Sequence, residues 1–167
     1  MTYQEAESFL FTELQSFQEK GKIAFKSNLD NALALSELLD HPHQQYKTIH
    51  VAGTNGKGSV THIIAAGLQA NGYNVGVYTS PHYKTYRERI KINGVLISEA
   101  EVAKFVTAYK ADIERIKPSF FEITCAMAFH HFAKQEVDIA IIEVGLGGRL
   151  DSTNIIHPVI SVITNIS

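Results

Sequence analysis

Residues 50–67, "HVAGTNGKGSVTHIIAAG", run an apolar strand into a helix through three glycines, one lysine and one serine. This junction constrains the fold more than any other stretch, because strand–turn–helix units assemble into layered α/β sheets. Gly53, Gly56 and Gly58 permit positive φ and let backbone N–H groups approach phosphate oxygens closely. Thr54 and Asn55 complete the turn, and the following helix aims its positive end at the same point. Lys57 can reach the outer phosphates of a polyphosphate, and the Ser59 hydroxyl is placed to ligate Mg²⁺, with Thr61 as a weaker alternative. Gly58 between Lys57 and Ser59 departs from the standard phosphate loop. A glycine turn that binds nothing would need neither the cation nor the hydroxyl.

The rest of the chain repeats the strand–helix grammar. Helical spacing of Ala6, Phe9, Leu10, Leu14 and Phe17 predicts a helix over 3–18, broken at Gly21. A second helix is expected over 28–39, with Leu29, Leu33, Leu35, Leu38 and Leu39 as its apolar side, ending before Pro42. Strands are expected at 47–53 and 74–79, and two short ones around Asn93-Gly94. Helices follow at 58–71, 98–116 (Ser98 and Glu101 forming a capping box) and 119–134. "VDIAIIEVG" and "PVISVITNI" read as parallel strands covered on both faces. The expected fold is a three-layer α/β domain with a mostly parallel sheet, whose ligands bind beyond the carboxyl ends of the strands.

Composition narrows the partners. The chain has 167 residues, 45% hydrophobic and 19% charged, with a formal net charge of -2. It has no basic stripe or block of like charges, which argues against nucleic-acid and anionic-membrane binding. The N-terminus lacks the features of a signal peptide, so the cytoplasm is the expected location. Cys125 has no second cysteine to pair with and reads as a buried thiol. His130-His131 and His41/His43 lack ligands at zinc spacing, so no structural zinc is expected.

Four ordered segments carry a resemblance: "GTNGKGS", "YTSPHYKTYRERIKINGVLIS", "SFFEITCAMAFHHF" and "DIAIIEVGLGGRLDSTNII". Together they resemble the folylpolyglutamate synthase/dihydrofolate synthase family of the Mur ligase superfamily, from about residue 48 onward. The resemblance implies an ATP- and Mg²⁺-dependent amide ligase that adds L-glutamate to folate or dihydropteroate through an acyl phosphate. It implies Lys57 and Glu143 as catalytic groups, residues 53–59 as the ATP loop, and Ser59, Ser80 and Glu143 as metal ligands. Glu143, ending an apolar strand, also suits cation binding on its own chemistry. For the substrate the candidates are Ser80, His82, Tyr83, Glu122, Thr124, Arg149 and Asp151, with Tyr86 adding a surface for stacking a pteridine ring. Tyr83 stands where the family usually has leucine. Arg87 and Arg89 are candidate anion-neutralising groups; a solvated surface arginine is the alternative for each.

The resemblance further implies that residues 1–167 form the N-terminal part of an ATP-binding domain. The family's later Asp-His segment, its modified lysine and its C-terminal glutamate-binding domain have no counterpart in this stretch. It is therefore expected to bind nucleotide without completing ligation, and to self-associate through uncovered strand and helix faces. A muramyl ligase of the same superfamily and a non-catalytic nucleotide-binding module are the rival readings. The "SPHYKTYRERIKING" segment favours the folate branch.

Overall fold

The computed structural model describes residues 1–20 and 28–167, and the helix break at Gly21 lies outside them. Six strands form one sheet: β1 (Lys47–Ala52), β2 (Val75–Tyr78), β3 (Ile90–Ile92), β4 (Val95–Leu96), β5 (Ile139–Glu143) and β6 (Ile160–Ile163), in the order β4-β3-β2-β5-β1-β6. β2, β5, β1 and β6 are parallel, while β3 and β4 add antiparallel to the edge. The turn between those two edge strands holds Asn93 at φ 49° and Gly94 at φ 79°, the pair of positive values that a tight hairpin requires.

The period of two in each strand decides which helices it meets. Ile49, Val51, Val75, Val77, Ile139 and Ile141 face α3 (Lys57–Ala70), packing with Ala65, Val60, Ile64 and Leu68. Tyr78, Ala140 and Ile142 face the other way, into a core shared by α1 (Tyr3–Lys20), α2 (Asp30–Leu38), α4 (Glu99–Ile116) and α5 (Phe120–Lys134). Gly76 lets α5 approach the sheet, since a Cβ there would sit 2.8 Å from the Phe132 ring. α5 is buried on nearly all sides from Ile123 to Phe132.

Three local expectations are modified. Leu35 and Leu39 of the α2 region are buried, but Leu33 is 53% exposed, and Ala32 and Ser36 complete the inner side. Ser98 caps α4 by accepting from the Glu101 amide at 3.1 Å. The Glu101 side chain does not close the box; it pairs with Lys134 at 2.7 Å instead. The largest difference concerns β6, expected to be covered on both faces. It is the sheet edge, with Ile160 and Ile163 54% and 65% exposed.

Candidate nucleotide and metal site

The turn after β1 is built as a backbone cradle. Gly53 has φ 135°, and a Cβ on it would overlap the Thr164 hydroxyl, so glycine is required on both counts. Gly56 precedes α3 in the left-handed region at φ 82°, with open space around it. Lys57 lies back across the turn, its Nζ donating to the Gly53 carbonyl at 2.9 Å and the Thr54 carbonyl at 3.4 Å. Ser59, in the first turn of α3, is exposed. Thr61 is fully buried with its hydroxyl unpartnered, which removes it from the surface of the cradle.

Two residues that sequence reasoning passed over brace this turn. Asn165 accepts from the Thr54 amide through its carbonyl (2.9 Å) and from the Asn55 amide through its side chain (2.8 Å). The Thr164 hydroxyl donates to the Asn55 carbonyl at 2.6 Å. Both follow β6, the neighbour of β1, so they reach the loop only because of strand order. A polar Thr-Asn pair at the end of an apolar strand was the available signal.

Glu143 ends β5 and is 4% exposed. Burial pushes its carboxyl pKa up; the Ser80 amide, donating to Oε2 at 3.0 Å, and the charges of Lys57 and His62 pull it back only in part. Its oxygens lie 3.8 and 3.9 Å from where a Cβ on Gly58 would stand, so the departure from the standard loop keeps the carboxylate's surroundings open. The other carboxylate oxygen has no hydrogen-bond partner among the described residues. Ser59, Ser80 and Glu143 thus offer a set of hard oxygen donors, the kind Mg²⁺ takes together with water. No cluster of three His, Cys, Asp or Glu among the described residues offers a richer metal site.

His62 also went unnoticed in the sequence. Its Nδ1 lies 2.7 Å from the Gly58 carbonyl and its Nε2 3.3 Å from Lys91 Nζ. A carbonyl only accepts, so Nδ1 carries the proton and Nε2 accepts from the lysine.

The segment after β2 divides sharply. Tyr83 is 94% exposed, whereas Tyr86, expected as stacking surface, is 1% exposed and belongs to the core. Its hydroxyl donates to Thr124 Oγ1 at 3.3 Å. Arg87 is tied to the Ile97 carbonyl and to Glu99. Arg89 is neither solvated nor at the surface: it is 8% exposed, donating through Nε to His82 Nδ1 at 2.8 Å. Glu88 holds the segment by accepting from the amides of Tyr83, Lys84 and Thr85, bonds that lower its pKa to about 2.

Two other substrate candidates take structural partners. Thr124 is fully buried, donating to the Phe120 carbonyl at 2.6 Å, so it presents nothing to a pocket mouth. Asp151 is 7% exposed and spends its carboxylate inside the chain. Oδ2 accepts from the Gly145 and Leu146 amides at 2.9 Å each, and Oδ1 from the Thr153 amide and hydroxyl. It shapes the glycine-rich loop that presents Arg149, which is exposed and has no ion pair among the described residues. The Thr153 hydroxyl in turn lies 2.8 Å from His50 Nε2 on β1, locking the loop to the neighbouring strand. Glu122 closes a capping box with Ser119 and accepts from Asn31. It also lines a narrow crevice with Ser36, Cys125, Ala126 and Ser152.

A glycine cradle at the head of a helix, a buried carboxylate on the adjacent strand β5, and a serine loop bonded to it make up an α/β domain of the Mur ligase type. The Mur ligase middle-domain model matches residues 51–167, and the chain belongs to that family. Within it, the chain is similar to folylpolyglutamate synthases. It is 42% identical to the dihydrofolate synthase/folylpolyglutamate synthase of Bacillus subtilis, over 98% of this chain and 38% of that protein. The crystal structure of folylpolyglutamate synthase from Thermotoga maritima superposes with TM-score 0.82 at 43% identity, covering 92% of this chain and 38% of that one. A folylpolyglutamate synthase–AMPPCP–folate complex gives TM-score 0.87 at 39% identity, covering 98% and 40%. The chain thus spans about two fifths of the length of these relatives.

Proposed function

We propose that these residues form the ATP- and Mg²⁺-binding part of a ligase that joins L-glutamate to folate or dihydropteroate. The observation that carries the reading is the meeting of three strand ends on one point: the cradle after β1, Ser80 after β2 and Glu143 on β5. The Ser80 amide on Glu143 Oε2 and the closeness of Gly58 to that carboxylate fix this meeting. Residues 53–59 would hold the nucleotide phosphates, with Lys57 swinging from the loop carbonyls onto them. Ser59, Ser80 and Glu143 would hold Mg²⁺, which when bound neutralises charge on the transferring phosphoryl group. Reactions of this kind depend on positioning and charge more than on a protein nucleophile. That agrees with this donor set.

The complex of a relative with AMPPCP and folate supports both ligand classes. The folate branch is preferred over the muramyl one because relatives 42% identical to this chain, over 98% and 81% of it, carry folate-ligase names.

Titration calorimetry with Mg-ATP tests the reading. Lys57→Ala removes the loop's cation, and Gly56→Val forces a branched residue into the left-handed region. Each is expected to weaken binding about tenfold or more, the size of a lost bond to a charged group. Unchanged affinity in both variants would sink the phosphate-loop assignment.

A further inference from the structure

Among the described residues, Arg89 is a buried cation without a counter-ion. It is 8% exposed, and no carboxylate among the described residues lies within ion-pair distance of it. Burial of a charge is costly unless something pairs with it. Its Nε donates to His82 Nδ1 at 2.8 Å, and its guanidinium carbon lies 5.1 Å over the Phe120 ring. Neither terminal nitrogen makes a hydrogen bond to a described residue.

The chemistry of this pair fixes its polarity. Arginine has only donors, so His82 Nδ1 must present a lone pair and Nε2 must carry the ring proton. The imidazole is therefore neutral, and its remaining group is one more donor. Around these donors stand aromatic rings: Phe11 stacks on Phe120 at 4.9 Å, and edges meet His82 from Phe11 (6.0 Å) and Tyr86 (6.4 Å). The charged groups acting on His82 are Arg89 and Glu88 from its own segment and Glu7 from α1. Glu88 is committed to backbone amides, so it does not neutralise Arg89.

Donors without acceptors, beside aromatic walls, suit a carboxylate carried on a planar scaffold. The location agrees. The guanidinium is bonded to His82, two residues beyond Ser80, whose amide is on Glu143. A carboxylate held by Arg89 would thus lie beside the proposed phosphate and metal site.

We propose that the Arg89 guanidinium and the His82 Nε2–H together bind the carboxylate of an aryl-carboxylate substrate. The substrate class rests on the folate-ligase reading; the carboxylate site does not. NMR on the labelled full chain follows the Arg89 Nε–H and His82 ring signals. Benzoate should shift both, and benzamide, uncharged and nearly the same shape, should leave them in place. His82→Gln, which keeps a donor, should retain part of the benzoate response; Arg89→Met should weaken it about tenfold or more. Should Arg89→Met fail to fold, the benzoate–benzamide contrast on the unaltered chain decides. Equal shifts from the two probes, or an unchanged benzoate response in folded Arg89→Met, would overturn the proposal and leave Arg89 a packing residue. Pteroate separates the two readings. If benzoate binds here and pteroate does not, the carboxylate site stands and the folate reading falls. If pteroate binds equally well to wild type and Arg89→Met, the folate reading stands and this site falls.

Discussion

β5 and β6 are nearly the same in sequence and quite different in place. "IAIIE" and "ISVI" are both short, apolar and β-branched, and both pair in parallel. Every residue of β5 is buried, because β1 and β2 flank it and helices cover both faces. Only one residue of β6 is even partly buried, because it is the edge and lies outside the helical cover. Apolar pattern therefore reports that a strand is designed to be covered, and says nothing about what covers it. The two strand ends also work differently. β5 delivers a carboxylate to the site, whereas β6 delivers Thr164 and Asn165, which hold the loop proposed to receive phosphate.

The comparison is sharpest in paired truncations. Ile141→Ala on β5 should cost about 2–5 kcal/mol, the usual range for a fully buried isoleucine. Ile163→Ala on β6 should stay within about 0.5 kcal/mol, measured by denaturant unfolding. The exposed edge is also proposed to drive self-association. Light scattering over micromolar concentrations should show it falling in Ile163→Lys, where a charge blunts the edge. Comparable destabilisation by both alanine variants would mean that β6 is covered after all.

A smaller effect, of opposite sign, is expected at Glu143. Its pKa is raised by burial, so folded and unfolded chains differ little below the ordinary carboxylate range. As pH rises through that range the unfolded chain ionises first, and stability is lost until the raised pKa is passed. Glu143→Gln keeps an acceptor for the Ser80 amide and removes the charge, so its melting temperature should exceed wild type at pH 7, with the gap closing toward pH 4. A constant gap would show that charge is not its origin. Smallest is the brace after β6. Asn165→Ala removes one neutral hydrogen bond to the loop, and Mg-ATP should bind with a loss of about 1 kcal/mol at nearly unchanged melting temperature. No loss would make the brace incidental.

Much of this was legible in the sequence, for identifiable reasons. Gly56-Lys57-Gly58-Ser59 carries its chemistry within one turn, and the strand and helix periods of 47–143 are local signals. What stayed hidden depends on non-local neighbours. Asn165 touches the loop only because β6 adds beside β1. Thr124 looked polar enough to face a ligand and Tyr86 aromatic enough to stack on one, but both lie in the core, where their hydroxyls meet. Asp151 lies in a segment rich in glycine, where its carboxylate serves the backbone amides of 145 and 146. Arg89, in the strand-like "ERIKI", gave no sign that His82 and Phe120 would enclose it.

The central claim is that Glu143, lying at one point with the loop after β1, makes nucleotide binding depend on the cation. Titrating ATP into wild type and Glu143→Ala, with and without Mg²⁺, measures this directly. Mg²⁺ should strengthen ATP binding in wild type. In Glu143→Ala that enhancement should largely vanish, while metal-free affinity, set by Lys57 and the backbone cradle, is kept or improved by removal of a nearby negative charge. An undiminished Mg²⁺ enhancement in Glu143→Ala would contradict the account.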